Sequence, residues 1–130
     1  MTIAEVSEKY GMSADTLRYY ERIGLLPPVP RDKNGIRNYE DESCNWIEFI
    51  RCMRSAGIQI EALIEYVRLF HQGSKTSEAR RQILYEQREL LQGKIAEMQT
   101  ALDRLNYKID NYDRILKDGK LGKAKKRAGA

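Results

Sequence analysis

The chain is poor in the residue types that carry chemistry, with one histidine, two cysteines, one tryptophan, two phenylalanines and three prolines in 130 residues. His71 alone leaves no Ser/His/Asp set, and there is neither a glycine-rich phosphate loop nor a cluster of metal-ligand residues. An enzyme is therefore not expected, and no metal or cofactor is called for. His71 is read as a surface residue beside a helix end. The cysteines, Cys44 and Cys52, make no disulfide framework. Eight residues apart on one helix, they are separated by about 12 Å, beyond the ~7 Å limit for a bridge. Nothing approaches an apolar run long enough to cross a bilayer, and the first residues form an amphipathic helix, not a signal peptide. No membrane partner and a cytoplasmic location follow as expectations.

What the chain does contain suits a soluble, mainly α protein: 42% hydrophobic and 32% charged residues. Its length allows one ordinary domain plus an extended element. The formal net charge of +4 is unevenly placed. Residues 1–76 hold 10 basic and 11 acidic side chains, residues 77–116 hold 7 of each, and residues 117–130 hold 6 and 1. The excess sits in the tail, so a nucleic-acid surface has to be sought locally.

The pattern predicts three parts. Residues 1–73 form a winged helix-turn-helix domain, 77–117 a dimerisation helix, and 118–130 a disordered basic tail that either adds phosphate attraction or only solubilises. Thr2-Ile3-Ala4-Glu5 is a capping box opening a first helix, and Gly11 turns the chain. Ser13 caps a second helix that runs to about Ile23, where Gly24 supplies a left-handed terminus. Two short helices joined by a glycine turn make a helix-turn-helix, whose second helix is built to enter a DNA major groove. That helix carries Arg18, Tyr19, Tyr20 and Arg22. Next come three prolines and Asn34-Gly35 between Arg31-Asp32-Lys33 and Ile36-Arg37-Asn38-Tyr39, a two-residue hairpin signal that reads as the wing.

Arg18, Tyr19, Arg37 and Tyr39 suit phosphates, the phenols packing their rings on the scaffold while the hydroxyls reach out. Arg31 and Lys33 add backbone contacts from the wing. Ala14, Asp15 and Thr16, nearest the helix start, are the candidates for base edges, although a carboxylate there also answers to the helix dipole.

A third helix from Asp41 to Gly57 carries Trp46, Phe49, Ile50 and Met53. A fourth, about Glu61 to Phe70, carries Leu63, Ile64, Val67 and Phe70, and both are expected to close the core beneath the wing. Beyond residue 77 the period changes. Leu91, Ile95, Met98, Leu102, Leu105, Ile109, Tyr112 and Leu116 step by four and three, a heptad seam that wants a partner helix, and the partner is a second copy. Arg88 on the seam and Gly93 within it weaken the first turns, which either fray or pack on the globular part.

Thr16-Leu17-Arg18-Tyr19-Tyr20-Glu21-Arg22-Ile23-Gly24-Leu25-Leu26, then Pro27, Arg31, Gly35, Arg37 and Tyr39, resemble the signature of the MerR family of winged-helix regulators over roughly residues 1–116. Phe49-Ile50-Arg51-Cys52-Met53-Arg54-Ser55-Ala56-Gly57 further resembles the family's cysteine-containing branch, which responds to aldehydes and nitrosative stress. The resemblance implies an antiparallel coiled coil, where the seam alone leaves the direction open. It also implies a homodimer on double-stranded promoter DNA with an over-long spacer, distorting the DNA so that RNA polymerase engages both promoter elements. The family's metal-responsive members carry ligand cysteines near the ends of the dimer helix, and this chain has no cysteine after Cys52. Cys52 is thus the effector-sensing candidate, expected in a packed junction where an adduct strains its surroundings; the competing reading is a small core residue. Cys44 is a lesser candidate. A coiled-coil interaction protein with a degenerate helix-turn-helix, lacking sequence-specific DNA binding, fits the seam equally well.

Overall fold

Local capping starts each of the first two helices. The computed structural model describes residues 1–120. The Thr2 hydroxyl accepts from the Glu5 N–H at 3.1 Å, and the Glu5 carboxylate accepts from the Thr2 N–H at 2.7 Å, opening α1, Ile3–Tyr10. Those bonds hold the Glu5 carboxyl below its ordinary range. Gly11, at φ +66°, ends α1 in the left-handed region, where any Cβ is strained. Ser13 Oγ then accepts from the Thr16 N–H at 3.0 Å and starts α2, Ala14–Arg22. Removing that acceptor by Ser13→Ala is expected to cost about 1 kcal/mol. A thermal melt checks it, with a midpoint lowered by roughly 4–8 °C in a domain of this size.

After α2 the chain turns at Gly24, and the N–H groups of Leu25 and Leu26 both donate to the Tyr20 carbonyl, at 2.9 and 3.0 Å. This satisfies the helix end and drives both leucines inward. The proline-containing stretch then leads into the wing, which is a hairpin reduced to one antiparallel bridge, Arg31 to Arg37. No regular strand forms among the described residues.

The wing's turn departs from the two-residue form expected. That form needs positive φ at both Asn34 and Gly35, and only Gly35 has it, at +79°. Instead the Gly35 N–H donates to the Asp32 carbonyl at 2.9 Å and the Asp32 N–H to the Ile36 carbonyl at 2.8 Å. The Asp32 carboxylate also accepts from the Asn34 and Ile36 N–H groups, at 2.8 and 3.0 Å. A four-residue turn from Asp32 closed by a left-handed glycine uses the aspartate as an internal acceptor, which Asn-Gly at the tip does not supply.

α3 runs Asp41–Ser55 and α4 Ile60–Phe70. The inward face of α3 centres on Cys44, Ile47 and Ile50, one step round from the Trp46, Phe49, Ile50, Met53 stripe; Ile50 belongs to both. With Val6, Leu17, Leu25, Leu26, Val29, Ile58 and Leu63 they form one core. Trp46, Phe49 and Met53 pack against that core, and Trp46 and Phe49 also meet Tyr66 and Phe70 of α4, with ring centroids 5.1–6.1 Å apart in mostly edge-on pairs. His71 is exposed, as expected.

A single 3-10 turn, Ser74–Thr76, leads into α5, Ser77–Lys120. The buried Thr76 hydroxyl lies 2.7 Å from the Leu69 carbonyl and 2.8 Å from that of Gly73, and the Arg80 guanidinium lies over the Phe70 ring. These contacts anchor the start of α5 on the end of α4, and residues as far as Glu89 belong to the N-terminal compact unit. A second unit begins at Leu90. Of the tail expected to be disordered, residues 118–120 continue α5, and 121–130 lie outside the described residues.

Candidate nucleic-acid interface

The outer face of α2 presents Arg18, Tyr19 and Arg22, all exposed, with Tyr20 half-buried behind them. Leu17 is the residue that α2 buries completely, which fixes the opposite face outward. Arg22 stacks its guanidinium over the Tyr19 ring at 5.3 Å, holding two donors together at the end of the helix. At the other end, Asp15 is 97% exposed and pairs with Arg18 at 3.0 Å. A pair this exposed is worth little, ~0–1 kcal/mol, and yields readily to a phosphate competitor. Thr16 accepts from the Ser13 hydroxyl at 2.9 Å, so its oxygen is partly committed to the cap, while Ala14 is half-buried.

The wing brings Arg31 and Lys33, both exposed, and Arg37, half-buried. Arg31 Nη1 donates to the Gly35 carbonyl at 2.8 Å across the turn. Arg37 Nε donates to Glu21 Oε1 of α2 at 2.7 Å. One nitrogen of that guanidinium is thus held inside the protein.

Tyr39 does not fit the role the sequence suggested for it. Its ring is 1% exposed and its hydroxyl is buried without a hydrogen-bond partner, so no phenol reaches out towards a phosphate. The Tyr39 N–H donates to the Met1 carbonyl at 2.8 Å, which draws the wing's exit back over the core and the ring in with it. Burial pushes the phenol pKa up against the opposing pull of Arg37, and the group stays protonated. Tyr39 is a core residue here, and only Tyr19 presents an exposed phenol from α2.

The cysteines divide in the opposite sense to a core reading of Cys52. Cys44 is buried, its sulfur 4.0 Å from that of Met1, whereas Cys52 is exposed on α3; both are free thiols. The packed junction expected around Cys52 is not found in this chain, because the inward face of α3 runs through residues 44, 47 and 50. No group of three or more metal-ligating side chains occurs among the described residues.

The seam residues all lie on α5. From Ile95 to Leu116 every one is exposed, between 49% for Leu102 and 70% for Met98, with Leu91 half-buried. A row of seven large apolar side chains standing open on one helix is unusual for an isolated chain.

A helix-turn-helix joined to a basic wing, with arginines and a tyrosine on its outer face, defines a winged-helix DNA-binding protein. Comparison with known proteins agrees. The model for MerR HTH family regulatory proteins matches residues 1–69, and the MerR DNA-binding model residues 45–107. The HTH-type transcriptional regulator AdhR of Bacillus subtilis is 57% identical over 91 residues, 70% of this chain and 65% of that protein. The match therefore spans slightly under two thirds of AdhR's length. Among solved structures, a candidate MerR family transcriptional regulator from Listeria monocytogenes superposes with a TM-score of 0.90 at 52% identity, covering 94% of this chain and 92% of that one. HiNmlR, a MerR family regulator lacking the sensor domain and bound to promoter DNA, superposes with a TM-score of 0.80 at 33% identity, covering 91% and 94%.

The chain belongs to the MerR family, in its AdhR/NmlR-like branch. It is a DNA-binding transcription regulator, not an enzyme, and the rival reading of a degenerate helix-turn-helix is not favoured.

Proposed function

We propose that two copies of this chain, paired through Leu91–Leu116, read a palindromic promoter element in the cytoplasm. Each copy lays α2 in a major groove. The carrying observation is that Arg18, Tyr19 and Arg22 on α2 and Arg31 and Lys33 on the wing are all exposed around one winged helix-turn-helix. Ala14, Asp15 and Thr16 lie nearest the bases, and Arg18, Tyr19, Tyr20, Arg22, Arg31, Lys33 and Arg37 hold the backbone. The exposed apolar stripe on α5 supports the dimer, and no helix among the described residues is long and apolar enough to cross a membrane. By the family resemblance the dimer spans an over-long promoter spacer and distorts it for RNA polymerase. Cys52, exposed on α3, is the electrophile-sensing thiol of the proposal.

Phosphate contacts have a distinctive signature. Arg18→Ala and Lys33→Ala should each weaken binding to operator and random DNA alike, and each should lower the slope of log K against log salt by about one unit per protomer. Fluorescence anisotropy titrations at several salt concentrations measure both. Unchanged affinity and slope for the pair would remove this surface from the interface.

A further inference from the structure

Glu21, one turn after the buried Leu17, lies behind the outer face of α2, and both of its carboxylate oxygens are occupied. Oε1 accepts from Arg37 Nε at 2.7 Å, and Oε2 accepts from the Val29 backbone N–H at 2.9 Å. Val29 lies on the wing's incoming leg, two residues before Arg31; Arg37 lies on the outgoing leg and is bridged to Arg31. One carboxylate on α2 therefore grips both legs of the hairpin at its base. The grip is shielded, with side-chain exposure of 14% for Glu21 and 23% for Arg37. Beyond this grip the wing's ladder is a single bridge, its exposed turn is braced from within by Asp32 and Arg31, and its outgoing leg is tied at Asn38 and Tyr39 to Met1.

We propose that Glu21 is a positioning residue that fixes the wing relative to the recognition helix, so that the cations on both reach the DNA backbone in one register. The inference rests on the DNA-binding reading above. Glu21 ties the two legs to α2, and releasing it lets the hairpin shift against the recognition helix while that helix remains seated in its groove. Wing contacts then have to be ordered on binding, and their contribution falls.

Simple electrostatics predicts the reverse. Removing a negative charge from behind a surface that meets phosphates should tighten binding and steepen its salt dependence. The clamp predicts that Glu21→Ala weakens operator binding about tenfold, the order expected for losing a charge-assisted contact, with a shallower salt slope. It further predicts coupling to a residue at the turn. Lys33→Ala should cost several-fold in the native chain and almost nothing in the Glu21→Ala background, because an unpositioned wing has no contact left to lose.

Anisotropy titrations of the full chain on operator DNA, for the native protein, Lys33→Ala, Glu21→Ala and the double variant, decide it, with circular dichroism and sedimentation as folding and assembly controls. Glu21→Gln follows the same cycle in case the alanine variant fails to fold. Its single carbonyl oxygen can accept from one of the two donors, so an intermediate loss and intermediate coupling are expected. Binding that is unchanged or tighter in the folded Glu21 variant overturns the clamp, as does a Lys33→Ala cost that persists in full beside it. A Lys33→Ala change without cost in the native chain overturns the wing reading beneath it as well. A merely structural role for Glu21 would lower the melting midpoint without making the Lys33 cost disappear.

Discussion

Replacing Leu102 and Leu105 together with glutamate is expected to abolish the dimer and, with it, specific DNA binding. Both leucines are exposed in the single chain, at 49% and 60%, so neither substitution disturbs the protomer core. In a paired seam each leucine buries apolar surface worth about 1.5–3 kcal/mol, and the dimer loses four of them. The loss is roughly 6 kcal/mol or more, over four decades in Kd, before the cost of four desolvated carboxylates is added. A protein that pairs at micromolar concentration would then be monomeric throughout the accessible range. The consequence for DNA is multiplicative, since a single protomer offers a small basic patch and gains nothing from a second half-site. Sedimentation velocity and an operator gel shift on the same preparation check both halves. A double variant that still sediments as a dimer would locate the interface elsewhere on the chain.

The second large effect concerns the signal. Cys52→Ser is expected to leave folding, dimerisation and operator binding as they are, and to remove the promoter's response to aldehydes and nitrosating agents. The expectation rests on Cys52 being the sensing thiol, and the exposure of that residue shapes the physical argument. An adduct on an open face of α3 displaces no core side chain of its own protomer, so modification should not lower the protomer's stability appreciably. Its effect must arise where α3 meets something outside the single chain, and a second copy is the neighbour that the apolar seam calls for. Cys44, buried beside Met1, is shielded from reagent, and Cys44→Ser should respond normally. A reporter strain carrying each variant, with mass spectrometry of the treated protein, reads the result. Full induction in the Cys52→Ser strain would reject the thiol switch. An adduct found mainly on Cys44 would count equally against it.

What the sequence determines by itself is whatever depends on near neighbours or on periodicity. The capping box at Thr2 and Glu5, the Ser13 cap and the left-handed Gly11 and Gly24 are legible because each involves residues at most a few positions apart. The heptad seam is legible for a related reason, since a helix converts a spacing of three and four directly into one face. Basic side chains on α2 and in the wing follow from composition once those elements are placed.

Only the tertiary structure decides which of these side chains are available. Tyr39 looked like a phosphate donor until its backbone bond to Met1 carried the ring inward, and the two are 38 residues apart. Cys44 and Cys52 look alike in sequence, and their fates separate because the core-facing stripe of α3 passes through one and not the other. Glu21 is one of two acidic residues in a helix that also carries two arginines, with no local sign of a role. Its partners, Val29 and Arg37, lie 8 and 16 residues downstream, and they reach one carboxylate only because the chain leaves α2 at Gly24, passes through its prolines and comes back across the Asp32–Gly35 turn. Caps and periodicity are written within a helical turn, whereas burial and long-range ion pairs depend on where the chain returns.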